Sequence, residues 1–344
     1  VSNLLTYSRL RSYRSCARKH HYRYELGYVP LIQSEALRFG SLIHKGLEAW
    51  WLALQSPDSR LTNALAAVAV ESDPFDRVRA EELLIAYEVV YGEETAANYS
   101  VLGVEQQFTA ALLNPATGAP SRTWLLGGKV DAIATDRASG RVLIVEHKTT
   151  SDAIDTDEDG YWQRLALDHQ LSGYVVGAEA LGHAIDECLY DAIRKPGIRP
   201  LLATPIESRK YVKSTNALYA NQRDHDETPE EFRARLREDI QSRPARYFQR
   251  RIVPRMQSQI DEYLFDVWSM GKSIREAEIA KRAPRNPEEC LRMGRCEYWN
   301  VCTSGEDIET SPYFKRTDDV HPELSFTDPL TAKEETPDAT HDSA

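Results

Sequence analysis

The chain has 344 residues, is 42% hydrophobic and carries a formal net charge of −11. That apolar content suffices for one large core or two small ones, and no run of about 18 apolar residues exists to span a membrane. The N-terminus holds Arg9, Arg11 and Arg14 without the apolar stretch of a secretory signal, so a cytoplasmic location is the expectation and the five cysteines should be reduced.

The charge is unevenly spread. From Thr303 to Ala344 eleven acidic residues face three basic ones, in a stretch rich in Pro and Thr and poor in core residues. Such composition predicts an acidic disordered tail over 305–344. Residues 6–23 show the opposite bias: Arg9, Arg11, Arg14, Arg18, Lys19 and Arg23 with no acid, and with Tyr7, Tyr13, Tyr22 and Tyr24 in or beside them. This basic, aromatic stretch suits a phosphate backbone, and equally a solvated helix face.

In chain order, residues 4–24 read as helical and Pro30 ends that unit. From Arg38 to Gln55 the residues Phe39, Leu42, Ile43, Gly46, Leu47, Trp50, Trp51 and Leu54 form the wide apolar stripe of a helix, with His44 beside it. Ala64–Val70 and Ala80–Tyr91 read as further helices divided at Asp73-Pro74. Three β-rich runs follow, Val101–Phe108, Trp124–Thr135 and Arg141–Lys148, the last two joined by the turn residues Asp136–Gly140. A polar loop, Ser151–Gly160, carries Asp152, Asp155, Asp157, Glu158 and Asp159. Beyond it a helix is expected over Tyr161–Leu181, a strand over Glu187–Arg194, a helix starting at Thr228-Pro229-Glu230-Glu231, an edge strand over Tyr247–Val253 and a long helix over Gln257–Lys281. This order of elements indicates a mixed α/β sheet flanked by helices.

The chemistry-bearing stretch is the pair of strands with Asp131 on the first and Glu146 and Lys148 on the second. Glu146 and Lys148 lie two apart, so their side chains share a face, and Asp131 on the neighbouring strand is within cross-strand reach. An acid pair in otherwise apolar runs is costly unless a cation is present, and hard oxygen ligands suit Mg²⁺ or Mn²⁺. An adjacent lysine can stabilise charge building on a phosphate. Taken alone, the same residues also fit an ordinary solvated strand edge with a Glu–Lys pair.

Asp131, followed by Glu146-His147-Lys148, resembles the signature of the PD-(D/E)XK nuclease superfamily, and more narrowly its RecB-like branch. Three further motifs carry that resemblance: G-x3-H at Gly40–His44, G-x-x-D at Gly128–Asp131, and Q-x3-Y at Gln170–Tyr174. The resemblance, which spans about Leu4 to Cys302, implies a restriction-endonuclease-like mixed β-sheet flanked by helices. It implies His44, Asp131, Glu146 and the backbone carbonyl of His147 as ligands of Mg or Mn, with Lys148 as the catalytic lysine. Gln170 and Tyr174 would hold the lysine and the DNA end, and Glu105 stands where some members carry another acid.

Cysteine supplies a second candidate centre. Cys290, Cys296 and Cys302 form a C-x5-C-x5-C triplet, Cys16 lies far upstream, and Cys188 sits within an apolar strand. Thiolates hold iron–sulfur clusters in sets of four; zinc and unliganded cysteines are the other readings, though C-x2-C knuckles are absent. One early and three late cysteines around the core are similar to the pattern of AddB-type and CRISPR-associated RecB-like exonucleases, which implies a [4Fe-4S] cluster held by Cys16, Cys290, Cys296 and Cys302. The first cysteine gap is wider than in many relatives.

The resulting expectation divides the chain into an iron–sulfur region at 1–30 and 282–304, a nuclease core at 31–281 with helical insertions, and the acidic tail at 305–344. The expected function is a metal-dependent DNA exonuclease acting on ends or single strands, with possible protein partners in a DNA-processing complex. Its alternative is a non-catalytic DNA-end-binding or assembly subunit of a recombination, repair or CRISPR-adaptation complex. No G-x4-GK[ST] nucleotide-binding motif is present, so a complete helicase–nuclease is not expected.

Overall fold

The computed structural model describes residues 3–32, 34–157, 160–292 and 294–324. Its elements are β1 (Leu4–Leu5), α1 (Tyr7–Ser15), α2 (Ala17–His20), β2 (Tyr28–Pro30), α3 (Glu35–Leu52), α4 (Pro57–Val68), α5 (Pro74–Asn98), β3 (Tyr99–Leu113), β4 (Pro120–Asp136), β5 (Val142–Thr150), α6 (His169–Ala180), β6 (Glu187–Arg194), α7 (Pro229–Ser242), α8 (Pro244–Tyr247), β7 (Phe248–Ile252), α9 (Gln257–Ala280), α10 (Trp299–Ser304) and β8 (Phe314–Arg316).

Among the described residues, six strands make the main sheet. β3 and β4 are antiparallel, as are β4 and β5; β5 and β6 are parallel, and β7 closes the edge antiparallel to β6. The sheet is therefore mixed, as the alternation of elements predicted. The turn between β4 and β5 forms because Asp136 Oδ1 accepts from the backbone N–H groups of Ala138 and Ser139 and from the Ser139 hydroxyl.

One irregularity prepares the site. On one side β4 is lined by two different strands: β1, parallel, at Leu125–Leu126, and β5 at Ala132–Thr135. Between them, residues 127–131 have no strand partner on that side among the described pairs. Asp131 stands at the end of this gap, where β4 and β5 part.

Both faces of the sheet are covered. α3, α4, α5 and α7 pack on one face around Trp50, Trp51, Leu84, Tyr87, Val145 and Leu189. α6 covers the other with Ile144, Leu171, Val175 and Tyr190. The stripe read from the sequence of α3 is the buried one: Phe39, Leu42, Ile43, Leu47, Trp50 and Trp51 are all nearly inaccessible, and burial at this level is the dominant favourable term in folding.

Three expectations are corrected. The single helix over 4–24 is instead a short strand, a helix, a break at Cys16 and a second turn of helix that passes into a π-turn at His21–Glu25. Cys16 has extended backbone, φ −161° and ψ 116°, and separates α1 from α2. The helix expected over 161–181 is divided as well: a 3-10 turn spans Gln163–Leu167, and α6 starts only where the Asp168 carboxylate accepts from the N–H groups of Gln170 and Leu171. Finally, residues beyond Ser304 are not uniformly without structure. β8 pairs antiparallel with β2 through Tyr28–Arg316, Val29–Lys315 and Pro30–Phe314, and Phe314 stacks on Tyr298. The acidic stretch 325–344, and Glu158 and Asp159 of the loop, lie outside the described residues.

Candidate active site

Asp131, Glu146 and Lys148 meet at the gap beside β4, and four elements place the side chains around them. Glu146 is nearly inaccessible and Asp131 is buried. Asp131 Oδ2 accepts from the His147 backbone N–H at 2.9 Å, tying β4 to β5 where their ladder ends. His44, on α3, brings its Nδ1 to 3.6 Å from the same oxygen. α3 can lie this close to β5 because Gly40 has no Cβ; one there would stand 3.1 Å from Thr149 Oγ1.

On the other face, Lys148 Nζ lies 3.3 Å from Glu146 Oε1 and 2.7 Å from Gln170 Oε1, and Gln170 Nε2 donates to the Tyr174 hydroxyl at 2.9 Å. The Asp168 cap has a direct consequence here. By starting α6 late, it puts Gln170 in the first helical turn, from which its amide reaches the lysine. Tyr7 of α1 lies over the ammonium, 6.0 Å from Nζ to the ring centroid, so the basic, aromatic N-terminal segment borders the site.

Electrostatics set these groups apart from ordinary surface acids and bases. Burial, and then the charge of Asp131, push the Glu146 carboxyl well above its ordinary range. Burial alone would lower the Lys148 ammonium, but the acids around it, Glu146 first, raise it. His44 is pushed down by burial. Glu146 Oε2 is buried and has no hydrogen-bond partner, and a buried unsatisfied acceptor of this kind costs about 1–3 kcal/mol. Two acidic groups forced together with a lone pair unused fit a hard divalent cation. Among the described residues, however, no three His, Cys, Asp or Glu side chains converge closely enough to hold a metal ion by themselves. His44, Asp131 and Glu146 are thus neighbours and not a closed triad of ligands.

Glu105 enters as a less expected neighbour. It lies on β3 in the irregular stretch opposite Asp131, with a left-handed φ of 52°, and pairs with Lys129. Burial, and then Asp131, push its carboxyl up to about 7.

Sequence reasoning missed the groups behind His147. Asp191, fully buried on β6, receives the Tyr87 hydroxyl at 2.5 Å and stands 3.1 Å from His147 Nδ1 and 3.2 Å from Arg250 Nη2, all on Oδ2. Burial would raise the Asp191 carboxyl, but Arg250, His147 and Tyr87 together hold it down to about 2. The available signal was an aspartate in the middle of the apolar run ECLYDAIR.

The five cysteines differ in burial. Cys188 is buried in β6, and burial pushes its thiol up to about 12. Cys16, Cys290, Cys296 and Cys302 are free and half-buried. Contacts between distant segments gather them: Asn286 donates to the Ser15 carbonyl, Arg18 N–H donates to the Pro284 carbonyl, and Cys296 N–H donates to the Cys290 carbonyl. Burial raises the Cys290 thiol, and so do the nearby thiols of Cys16 and Cys302; Cys296 is raised by burial and, among smaller contributions, by Cys290. The four share a neighbourhood without forming a closed metal-holding set.

A central mixed sheet flanked by helices, with an Asp, a Glu and a Lys at the divergence of two of its strands, defines a restriction-endonuclease-like fold. The chain belongs to the PD-(D/E)XK nuclease superfamily, whose family model matches residues 4–303. A solved structure titled "Crystal structure of SSO0001" is similar at 14% sequence identity and a TM-score of 0.30, over 78% of this chain and 86% of that one. Among curated proteins none matches. No helix among the described residues is long and apolar enough to cross a membrane.

Proposed function

We propose that this protein is a metal-dependent deoxyribonuclease of the RecB-like branch, an exonuclease that hydrolyses phosphodiester bonds at DNA ends or in single strands. The observation that carries this reading is the Lys148 ammonium, fixed by Glu146 on one side and Gln170 on the other, next to a buried acid whose second oxygen is unused. Asp131, Glu146, His44 and the carbonyl of His147 would hold Mg²⁺ or Mn²⁺. When bound, such an ion lowers the pKa of a water and neutralises charge on the phosphate.

The chain's own residues perform the rest. Lys148 presents N–H donors to the phosphate oxygens on which charge builds, in a site partly closed to solvent where such donors are worth most. Gln170 keeps the ammonium from swinging away, and Tyr174 keeps Gln170 in place through its hydroxyl. Tyr7, with Arg11 and Arg14 on the same helix, supplies an aromatic and basic approach for the DNA strand. Linear DNA should be degraded from its ends while a covalently closed circle of the same sequence survives; equal loss of the closed circle would replace the exonuclease reading by an endonuclease one.

The same proposal places a [4Fe-4S] cluster on Cys16, Cys290, Cys296 and Cys302, and three observations support it. All four thiols are free, they come from segments distant in sequence, and the thiols of Cys16, Cys302 and Cys296 each lie within electrostatic range of Cys290. The cluster would join the N-terminal helices to the C-terminal region and steady Tyr7 beside Lys148. Anaerobically purified protein is expected to be brown, to contain about four iron atoms per chain, and to bleach with dithionite. Colourless protein with stoichiometric zinc would overturn this assignment.

A further inference from the structure

His147 stands between Glu146 and Lys148 on β5, so its side chain points to the opposite face of the sheet from theirs. Its backbone N–H donates to Asp131 Oδ2, while its ring, only 3% of the residue being accessible, faces the helices on the opposite side of the sheet. There it meets Trp51 at 5.7 Å and His44 edge-on at 6.5 Å between ring centroids. Nδ1 points at Asp191 Oδ2, and Nε2 has no hydrogen-bond partner.

Asp191 is itself held. Tyr87 donates its hydroxyl to Oδ2, Arg250 stands against the same oxygen, and Arg250 is bonded in turn to the Tyr87 hydroxyl at 2.6 Å and to Thr95 Oγ1 at 2.7 Å. Tyr91 completes the clamp, with the guanidinium carbon 3.7 Å from its ring centroid. Every group around Oδ2 is a donor or a cation, so the carboxylate can only accept. His147 must therefore carry its proton on Nδ1.

We propose that Asp191, clamped by Arg250 and Tyr87, is a positioning residue that fixes the tautomer and orientation of His147. Through the His147 peptide it then fixes Asp131 and the main-chain carbonyl at the metal end of the site. A ring anchored at Nδ1 cannot rotate without breaking a buried hydrogen bond, so the peptide that carries it is held as well. Groups that orient ligands from behind commonly change metal affinity 10- to 100-fold when removed. The role of the carbonyl rests on the nuclease reading above; the tautomer and the His147–Asp131 link rest on geometry alone.

Asp191→Asn tests this, because an amide can donate to Nδ1 where a carboxylate cannot, and such a change beneath a histidine alters its tautomer. Nitrogen-15 NMR of labelled histidine should show His147 protonated on Nδ1 in the wild type and on Nε2 in the variant. Mn²⁺ binding followed by electron paramagnetic resonance without DNA should weaken by about 10-fold or more. Tyr91→Leu, which removes the stack on Arg250 but leaves Asp191 in place, should lower Tm while keeping the tautomer and Mn²⁺ affinity. Should Asp191→Asn fail to fold, Tyr87→Phe removes one donor to Asp191 without changing packing, and Mn²⁺ binding should weaken about 3-fold.

An unchanged tautomer and Mn²⁺ affinity in Asp191→Asn would overturn the proposal. So would an equal loss of Mn²⁺ affinity in Tyr91→Leu at the same Tm, or an unchanged affinity in Tyr87→Phe. A wild-type chain that binds Mn²⁺ with the Nδ1 tautomer but cuts no DNA would overturn the nuclease reading alone; one that binds no Mn²⁺ would overturn both.

Discussion

Lys148→Ala is expected to lower DNA hydrolysis by about 10²–10⁴-fold, the range for loss of a group that meets charge in the transition state, while the protein stays folded. The fold survives for a specific reason. Lys148 compensates Glu146, but the Glu146 carboxyl is already pushed well above its usual range by burial and by Asp131. Removing the ammonium raises it further, and the Lys148 side chain, about a third exposed, leaves no core cavity when truncated. Glu146→Gln should be at least as damaging to hydrolysis, and it leaves stability unchanged or higher, because it replaces a carboxylate with an unused buried oxygen. Cleavage rates at saturating Mn²⁺, with thermal melts of both variants, check this. Near wild-type hydrolysis by both would contradict the assignment.

Phe108→Ala is expected to cost about 3–5 kcal/mol of stability, at the high end for an aromatic removed from a core. Phe108 is paired in register with Gly128 across β3 and β4, and its ring is wedged under α6. A Cβ on Gly128 would lie 2.6 Å from the ring's Cε1 and Cζ, and one on Gly177 of α6 would lie 2.4 Å from Cδ1 and Cε1. Two bare backbones thus grip one ring edge, which sets how closely α6 lies on β4 and so how Gln170 meets Lys148. Because the ring is blocked on both sides, Gly177→Ala cannot be absorbed by a small shift and should destabilise by about 1–3 kcal/mol or more, as overpacked cores do. Urea unfolding measures both variants. A neutral Gly177→Ala would show that the ring has room and the wedge is not tight.

The β4–β5 hairpin and the stripe of α3 were legible because each rests on local pattern. Asp136–Gly140 carries its own turn chemistry, and Phe39 through Trp51 repeat with the helical period. G-x3-H on α3 and G-x-x-D on β4 are placed by those two patterns, whereas Q-x3-Y is placed on α6 by the Asp168 cap. What the sequence hid is non-local. The pairing of Leu4–Leu5 with Leu125–Leu126, which bounds the gap beside Asp131, depends on a contact between segments 121 residues apart. The Asp191–Arg250–Tyr87 clamp joins three elements, none of which signals the others. The Asp168 cap overrides an apparently continuous helical pattern, and the pairing of Phe314–Arg316 with Tyr28–Pro30 overrides acidic composition; both are specific hydrogen bonds that composition does not register.

We propose that Asp131, Glu146 and Lys148 together hydrolyse DNA with a divalent cation. This is tested most directly by digesting end-labelled single- and double-stranded DNA with purified protein in Mg²⁺, in Mn²⁺ and in excess chelator, with Glu146→Gln in parallel. Labelled products are expected for the wild type in at least one metal, none in chelator, recovery when the metal is restored, and none from Glu146→Gln under any condition. Cleavage that persists in chelator, or that Glu146→Gln retains, would contradict it.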